Sequence, residues 1–157
     1  MTRLLIELKT RARLQLNADR RDRPAQRLRD CLHAAARDVG FAEWDHARRV
    51  LGGNAVAGDD MGTFWHAPAC NAMLNAWFST HAEARGARGA SPRSFLLPYR
   101  RHFVVADADF IVALGLNPAE AAWAALQHDL VAGYAGDAWA TLAFQRIKAP
   151  RSTFASG

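Results

Sequence analysis

The chain predicts an α+β fold that is mostly helical, with a three-helix N-terminal cap and a helical body around a small sheet. Three observations carry this. Apolar residues recur at three- and four-residue spacing in several separate stretches, whereas only Phe95 to Val105 reads as a strand. Breaker clusters at Gly52-Gly53-Asn54 and Gly58-Asp59-Asp60 separate a first group of stretches from the rest. With 157 residues, 50% of them apolar, the chain can bury a substantial core. The cap is expected over residues 1–52 and the body over 62–150.

In the cap, Leu4, Leu5, Leu8, Ala12 and Leu16 fall on one face of a first helix. Asn17 to Pro24 is a charged connector, and Pro24 suits a helix start because the first-turn amides lack partners anyway. Leu28, Cys31, Leu32, Ala35 and Val39 form the second stripe, which Gly40 ends. A third helix turns Phe41, Trp44, Ala47 and Leu51 inward and Arg48 and Arg49 outward. Helix, glycine turn and helix suggest a DNA-binding helix-turn-helix, but His46 and Arg49 fall where its second helix would bury apolar side chains. A trihelical cap with Trp44 in its core is the better expectation.

In the body, Pro68 can open a helix whose apolar face is Cys70, Met73, Leu74, Trp77, Phe78 and His81. Glu83 to Ser94, rich in Gly, Ala and Arg, reads as an exposed loop. Pro98 confines the strand to a sheet edge, a bulge or a break between two short strands, because it cannot donate to a ladder. Helices follow from about Asp107, from the Asn117-Pro118-Ala119-Glu120 cap, and from about Asp137 to a stop at Pro150.

Glu7-Leu8-Lys9 with Ala12-Arg13, then Leu28, Leu32 and Ala36, then Gly40-Phe41-Ala42-Glu43-Trp44 with Ala47, resembles a known pattern. It is the short N-terminal helical module of bacterial proteins related to the glyoxalase superfamily. The resemblance covers about a third of the chain and implies no activity. The remainder lacks the repeated strand-rich units and spaced His/Glu ligands of a glyoxalase metal site. Leu74 to Phe78 and Leu96 to Arg100 are similar to segments of uncharacterised bacterial proteins that share such a module.

Charge is the strongest functional signal. Met1 to Leu51 holds 12 Lys/Arg against 7 Asp/Glu, and the remainder holds 8 of each, so the net +5 belongs to the cap. Arg20, Arg21, Arg23, Arg27 and Arg29 crowd the start of the second helix, and Arg48 and Arg49 close the third. Tyr99, Arg100 and His102 form a second recognition cluster in the body, able to hold an anion and stack on a base.

Catalytic signals are weaker. His66 and Cys70 would make a nucleophilic pair if Cys70 lay in the first turn of a helix beside a protonated imidazole. Asp59 and Asp60 with His66 or His81 contain metal-ligating types, but no second ligand pair stands at helical spacing, so no metal is expected. Scattered glycines give no dinucleotide fingerprint and hence no cofactor.

Two cysteines are too few for a disulfide framework, Glu7 and Lys9 interrupt the apolar start that a signal peptide needs, and the uncharged stretch Met61 to Ala82 is too polar for a membrane. The sequence therefore predicts a cytoplasmic binding or regulatory protein whose cap meets nucleic acid or an acidic protein surface. A hydrolase or nuclease, or a protein-directed inhibitor of antitoxin type, are the alternatives.

Overall fold

Thr2 links the two ends of the cap: its hydroxyl accepts from Leu5 N at 3.3 Å and donates to Leu51 O at 3.1 Å. It caps α1 (Arg3–Asp19), which crosses α2 (Leu28–Asp38) and meets α3 (Trp44–Leu51) in the computed structural model, which describes residues 1–155. The stripe read from the sequence is the buried one at Leu4, Leu5, Leu8 and Ala12, against Cys31, Ala35, Ala36, Val39, Ala47, Val50 and Leu51. Asp30 reaches back to accept from Arg27 N, and the Glu43 carboxylate accepts from Asp45 N and His46 N, so side-chain oxygens satisfy both helix starts. Trp44 is half-buried and packs on the core margin; Phe41 occupies the centre instead.

Gly40 sits between α2 and α3 at φ +98°, where a Cβ would come within 2.7 Å of Thr63 and Phe64. Its carbonyl accepts from Thr63 N at 2.8 Å. The glycine that ends α2 thus also lets the body's Thr63-Phe64-Trp65 segment press against the cap.

The body is a three-stranded antiparallel sheet with helices packed around it. β1 (Ala76–Phe78), β2 (Phe95–Tyr99) and β3 (His102–Ala106) take the order β1-β3-β2. β2 and β3 form a hairpin whose two turn residues are Arg100, at φ 53°, and Arg101. The expected single strand is therefore two, with the break two residues past Pro98, and Pro98 lies on an edge strand as its missing N–H requires. The free edge of β2 is covered, since Leu96 N donates to His128 O and Leu130 N to Leu96 O. The remaining helices are α4 (His81–Gly89), α5 (Ala108–Ala113), α6 (Ala121–Ala125) and α7 (Asp137–Ile147).

Two helices begin later than expected, α2 at Leu28 rather than at Pro24 and α6 at Ala121 rather than after Asn117, and two further expectations fail. Residues 68–81 do not form a helix: Pro68–Ala72 is a 3-10 turn, and Trp77 lies in β1, leaving Leu74 99% exposed. Pairing of Ala76, Trp77 and Phe78 with β3 overrides the helical spacing. Residues 83–94, expected as a loop, instead hold most of α4, started by Thr80, whose hydroxyl accepts from Glu83 N.

One apolar cluster joins cap and body. Leu4, Leu8, Val39 and Phe41 belong to it with Phe64, Trp65, Leu97, Val104, Trp123 and Trp139. At its base Arg146 is fully buried and spends all five guanidinium N–H groups on oxygen: Phe64 O, Leu114 O, His66 O, Thr153 O and Thr153 Oγ1, at 2.7–3.1 Å. Among the described residues no carboxylate pairs with it. Desolvation pulls its pKa down to about 9, so it remains a cation at neutral pH, with Phe154 stacked 3.8 Å away. No helix among the described residues is long and apolar enough to cross a membrane.

Candidate functional site

Strand register decides where the body's polar residues go. Tyr99 pairs with His102, Leu97 with Val104, and Trp77 with Val104 from the other side, so these side chains share one face of the sheet. Leu97 and Val104 are core; at the hairpin tip the same face emerges as Tyr99, His102 and Trp77. Trp77 is 46% exposed and meets Tyr99 edge to face at 5.1 Å, which makes an open aromatic corner. His102 is exposed, and Arg100 lies 5.5 Å over the Tyr99 ring.

His66 floors this corner. It is 6% exposed, 4.9 Å from Tyr99 and 6.2 Å from Trp77 between ring centroids, and its Nε2 is 2.8 Å from Asn71 Oδ1. With Nε2 donating to that oxygen, Nδ1 is left as a buried acceptor without a partner. His66, Asn71, Trp77, Tyr99 and His102 enclose a recess of about 310 Å³. It opens into a groove of about 640 Å³ between body and cap, where Arg100 is joined by Arg37 and His46. Both His46 nitrogens are occupied, by Ala42 N at 3.0 Å and Asp60 O at 2.7 Å, so His46 pins the cap to the body loop.

The cap arginines divide into two sets. Arg49 is tied to Asp59 at 2.7 Å and Arg48 to Asp45 at 3.1 Å, so this pair is neutralised. Arg20, Arg21, Arg23 and Arg27 are exposed and make no ion pair among the described residues; neither do Arg29 and Arg37. Arg29 and Arg37 stand on one side of α2, about 12 Å apart along its axis, and the charge comes from these two, since His33 between them spends its Nδ1 accepting from Trp44 N at 3.0 Å. A cationic stripe therefore starts at the α1–α2 connector and ends at the groove that holds Arg100. Arg23 turns away from it, into a cleft on the far side with Asp19, Asp38 and Arg151.

The catalytic candidates are not brought together. Cys70 is 1% exposed, and its sulfur faces Phe110 O at 4.0 Å, while His66 engages Asn71. Burial pushes the Cys70 thiol up, against smaller lowering effects from the Ala67 backbone and Arg146. Cys70 does sit in the first turn of the five-residue 3-10 helix, but its burial and the engagement of His66 with Asn71 remove the argument for a thiolate. Asp59 caps the Val56 turn and binds Arg49, and Asp60 accepts from Gly62 N. Among the described residues no three His, Cys, Asp or Glu side chains cluster as metal ligands do.

The sequence groups Tyr99, Arg100 and His102 but points to His66 only as a partner for Cys70 or for Asp59 and Asp60, and it misses Trp77, Asn71 and Arg37 as neighbours of this cluster. Trp77 was assigned to a helix core because its spacing from Cys70 and Met73 is helical. The i, i+4, i+8 row Arg29-His33-Arg37 was legible and is the signal that leads to Arg37. No described protein family, no curated protein and no solved structure matches this chain.

Proposed function

We propose that this protein binds single-stranded nucleic acid, with bases on the Trp77–Tyr99 corner and phosphates along Arg100, Arg37 and the α2 stripe. The observation that carries the reading is the shared sheet face of Trp77, Tyr99 and His102 opening beside unpaired guanidinium groups. Stacking on exposed aromatic rings next to a basic track is how single strands are held without sequence preference. Duplex reading by α3 is disfavoured, because the start of that helix carries Glu43 and Asp45, which would repel phosphate. A cytoplasmic setting fits two reduced, buried thiols.

The experiment is fluorescence anisotropy with a labelled oligothymidylate of about 15 nucleotides across a salt series. Six contacts, from Arg20, Arg21, Arg27, Arg29, Arg37 and Arg100, give log Kd against log salt a slope of about 4 in magnitude. The double variant Arg20→Ala, Arg21→Ala weakens binding and reduces the slope by about 1.4. Binding indifferent to salt and to this pair overturns the reading. Equal affinity for polyglutamate would move it to an acidic protein surface.

A further inference from the structure

The opposite face of the same hairpin carries a second site that shares only Arg100 with the nucleic-acid reading. Pro98 pairs with Phe103, so both point away from the aromatic corner. There they join Met61, Leu130, Val131 and Tyr134 as the apolar walls of a separate pocket of about 310 Å³. One wall is His81, whose ring lies 5.8 Å from Phe103.

That histidine is held by an anchored carboxylate. Asp129 is 3% exposed; its Oδ1 accepts from Val131 N at 2.9 Å and Ala132 N at 3.0 Å, and its Oδ2 is 2.9 Å from His81 Nε2. The ring is thus fixed with Nε2 spent and Nδ1 without a protein partner. The rim is cationic: Arg101, whose Nη1 donates to Gly58 O at 2.7 Å, stands with Arg100 on one side. The single carboxylate of the rim, Asp59, is already neutralised by Arg49.

We propose that this pocket binds a small organic carboxylate, its short apolar tail between Phe103, Leu130 and Tyr134 and its carboxylate at Arg101. The walls are apolar and a guanidinium stands on the rim, a combination that orients an amphipathic small molecule. Arg101 supplies the charge-assisted, planar recognition that a carboxylate takes. The tail excludes inorganic anions, which would leave the apolar walls empty.

Isothermal titration with sodium hexanoate, and with hexanamide as its neutral counterpart, tests this. Hexanoate saturates a single site; hexanamide binds at least about tenfold more weakly, the size expected when one charge-assisted pair is lost. Arg101→Gln weakens hexanoate at least about tenfold as well. Filling the pocket from its exposed lining, by Ala132→Phe or independently by Val56→Trp, abolishes binding while leaving oligonucleotide affinity unchanged. Absence of saturable hexanoate binding, equal affinity for the amide, or indifference to Arg101→Gln overturns the proposal. None of these outcomes bears on the aromatic corner, so the two sites stand or fall separately.

Discussion

Arg146 Nη2 donates to the carbonyl of His66 at 3.1 Å, so a cation sealed inside the body holds the backbone beneath the Trp77–Tyr99 corner. The same guanidinium holds Phe64 of that same segment, and Leu114 and Thr153 of two others. Three stretches of chain, around residues 64–66, 114 and 153, are thereby fixed around one side chain. The planar fork is essential, because five donors in fixed directions meet five oxygens.

Arg146→Lys keeps the charge but has three donors on a shorter side chain with a compact head, leaving buried carbonyls unpaired. It should lower unfolding free energy by about 3 kcal/mol or more, read as a shifted urea midpoint at constant slope. A loss below about 1 kcal/mol would mean that the five bonds do not organise the body.

Glu7 carries the acid dependence of the contact between α1 and the end of α7. Burial alone would raise its carboxyl, but hydrogen bonds from Lys148 and Arg11, with their charges, bring it below the ordinary 4.5. The unfolded chain then takes up this proton at higher pH than the folded one. The stabilisation is complete above pH 4.5 and fades as pH falls through the lower folded value. Glu7→Gln should cost about 1 kcal/mol at neutral pH, and the difference from wild type should be smaller at pH 3. Denaturation curves at the two pH values check it; a constant difference contradicts it.

Cys70 is closed to chemistry in the folded state. Its burial and raised thiol predict no reaction with iodoacetamide at neutral pH until urea unfolds the chain, when Cys31 and Cys70 react together. Mass spectrometry counts the adducts. Rapid labelling of Cys70 in the native protein would restore a nucleophilic role.

The sequence made the cap legible because its helices are decided locally. The stripes of α1 and α2 and the stop at Gly40 appear where their spacing and φ preference place them. The body was harder to read because β1 exists only through its partner: Ala76, Trp77 and Phe78 have helical spacing with Cys70 and Met73, and nothing local announces β3 as their neighbour. A local signal for α4 was present in Thr80-x-x-Glu83, a capping pattern, but the Gly and Arg content of the stretch outweighed it. The same distinction governs the sites. Charge runs are visible in one dimension, so Arg20 to Arg29 and Arg100 stood out; whether Arg49 is free depends on Asp59 across a turn. The pairing of His81 with Asp129, 48 residues apart, leaves no trace in the sequence.

The account depends most on bases meeting the Trp77–Tyr99 corner, and comparing a single strand with an abasic strand of equal length and charge measures that directly. Wild-type protein should bind the strand with bases at least about tenfold more tightly, the equivalent of one lost stack, and Trp77→Ala should bind both alike. Equal wild-type affinity for the two strands would contradict the account, reducing the interaction to phosphates on the α2 stripe alone.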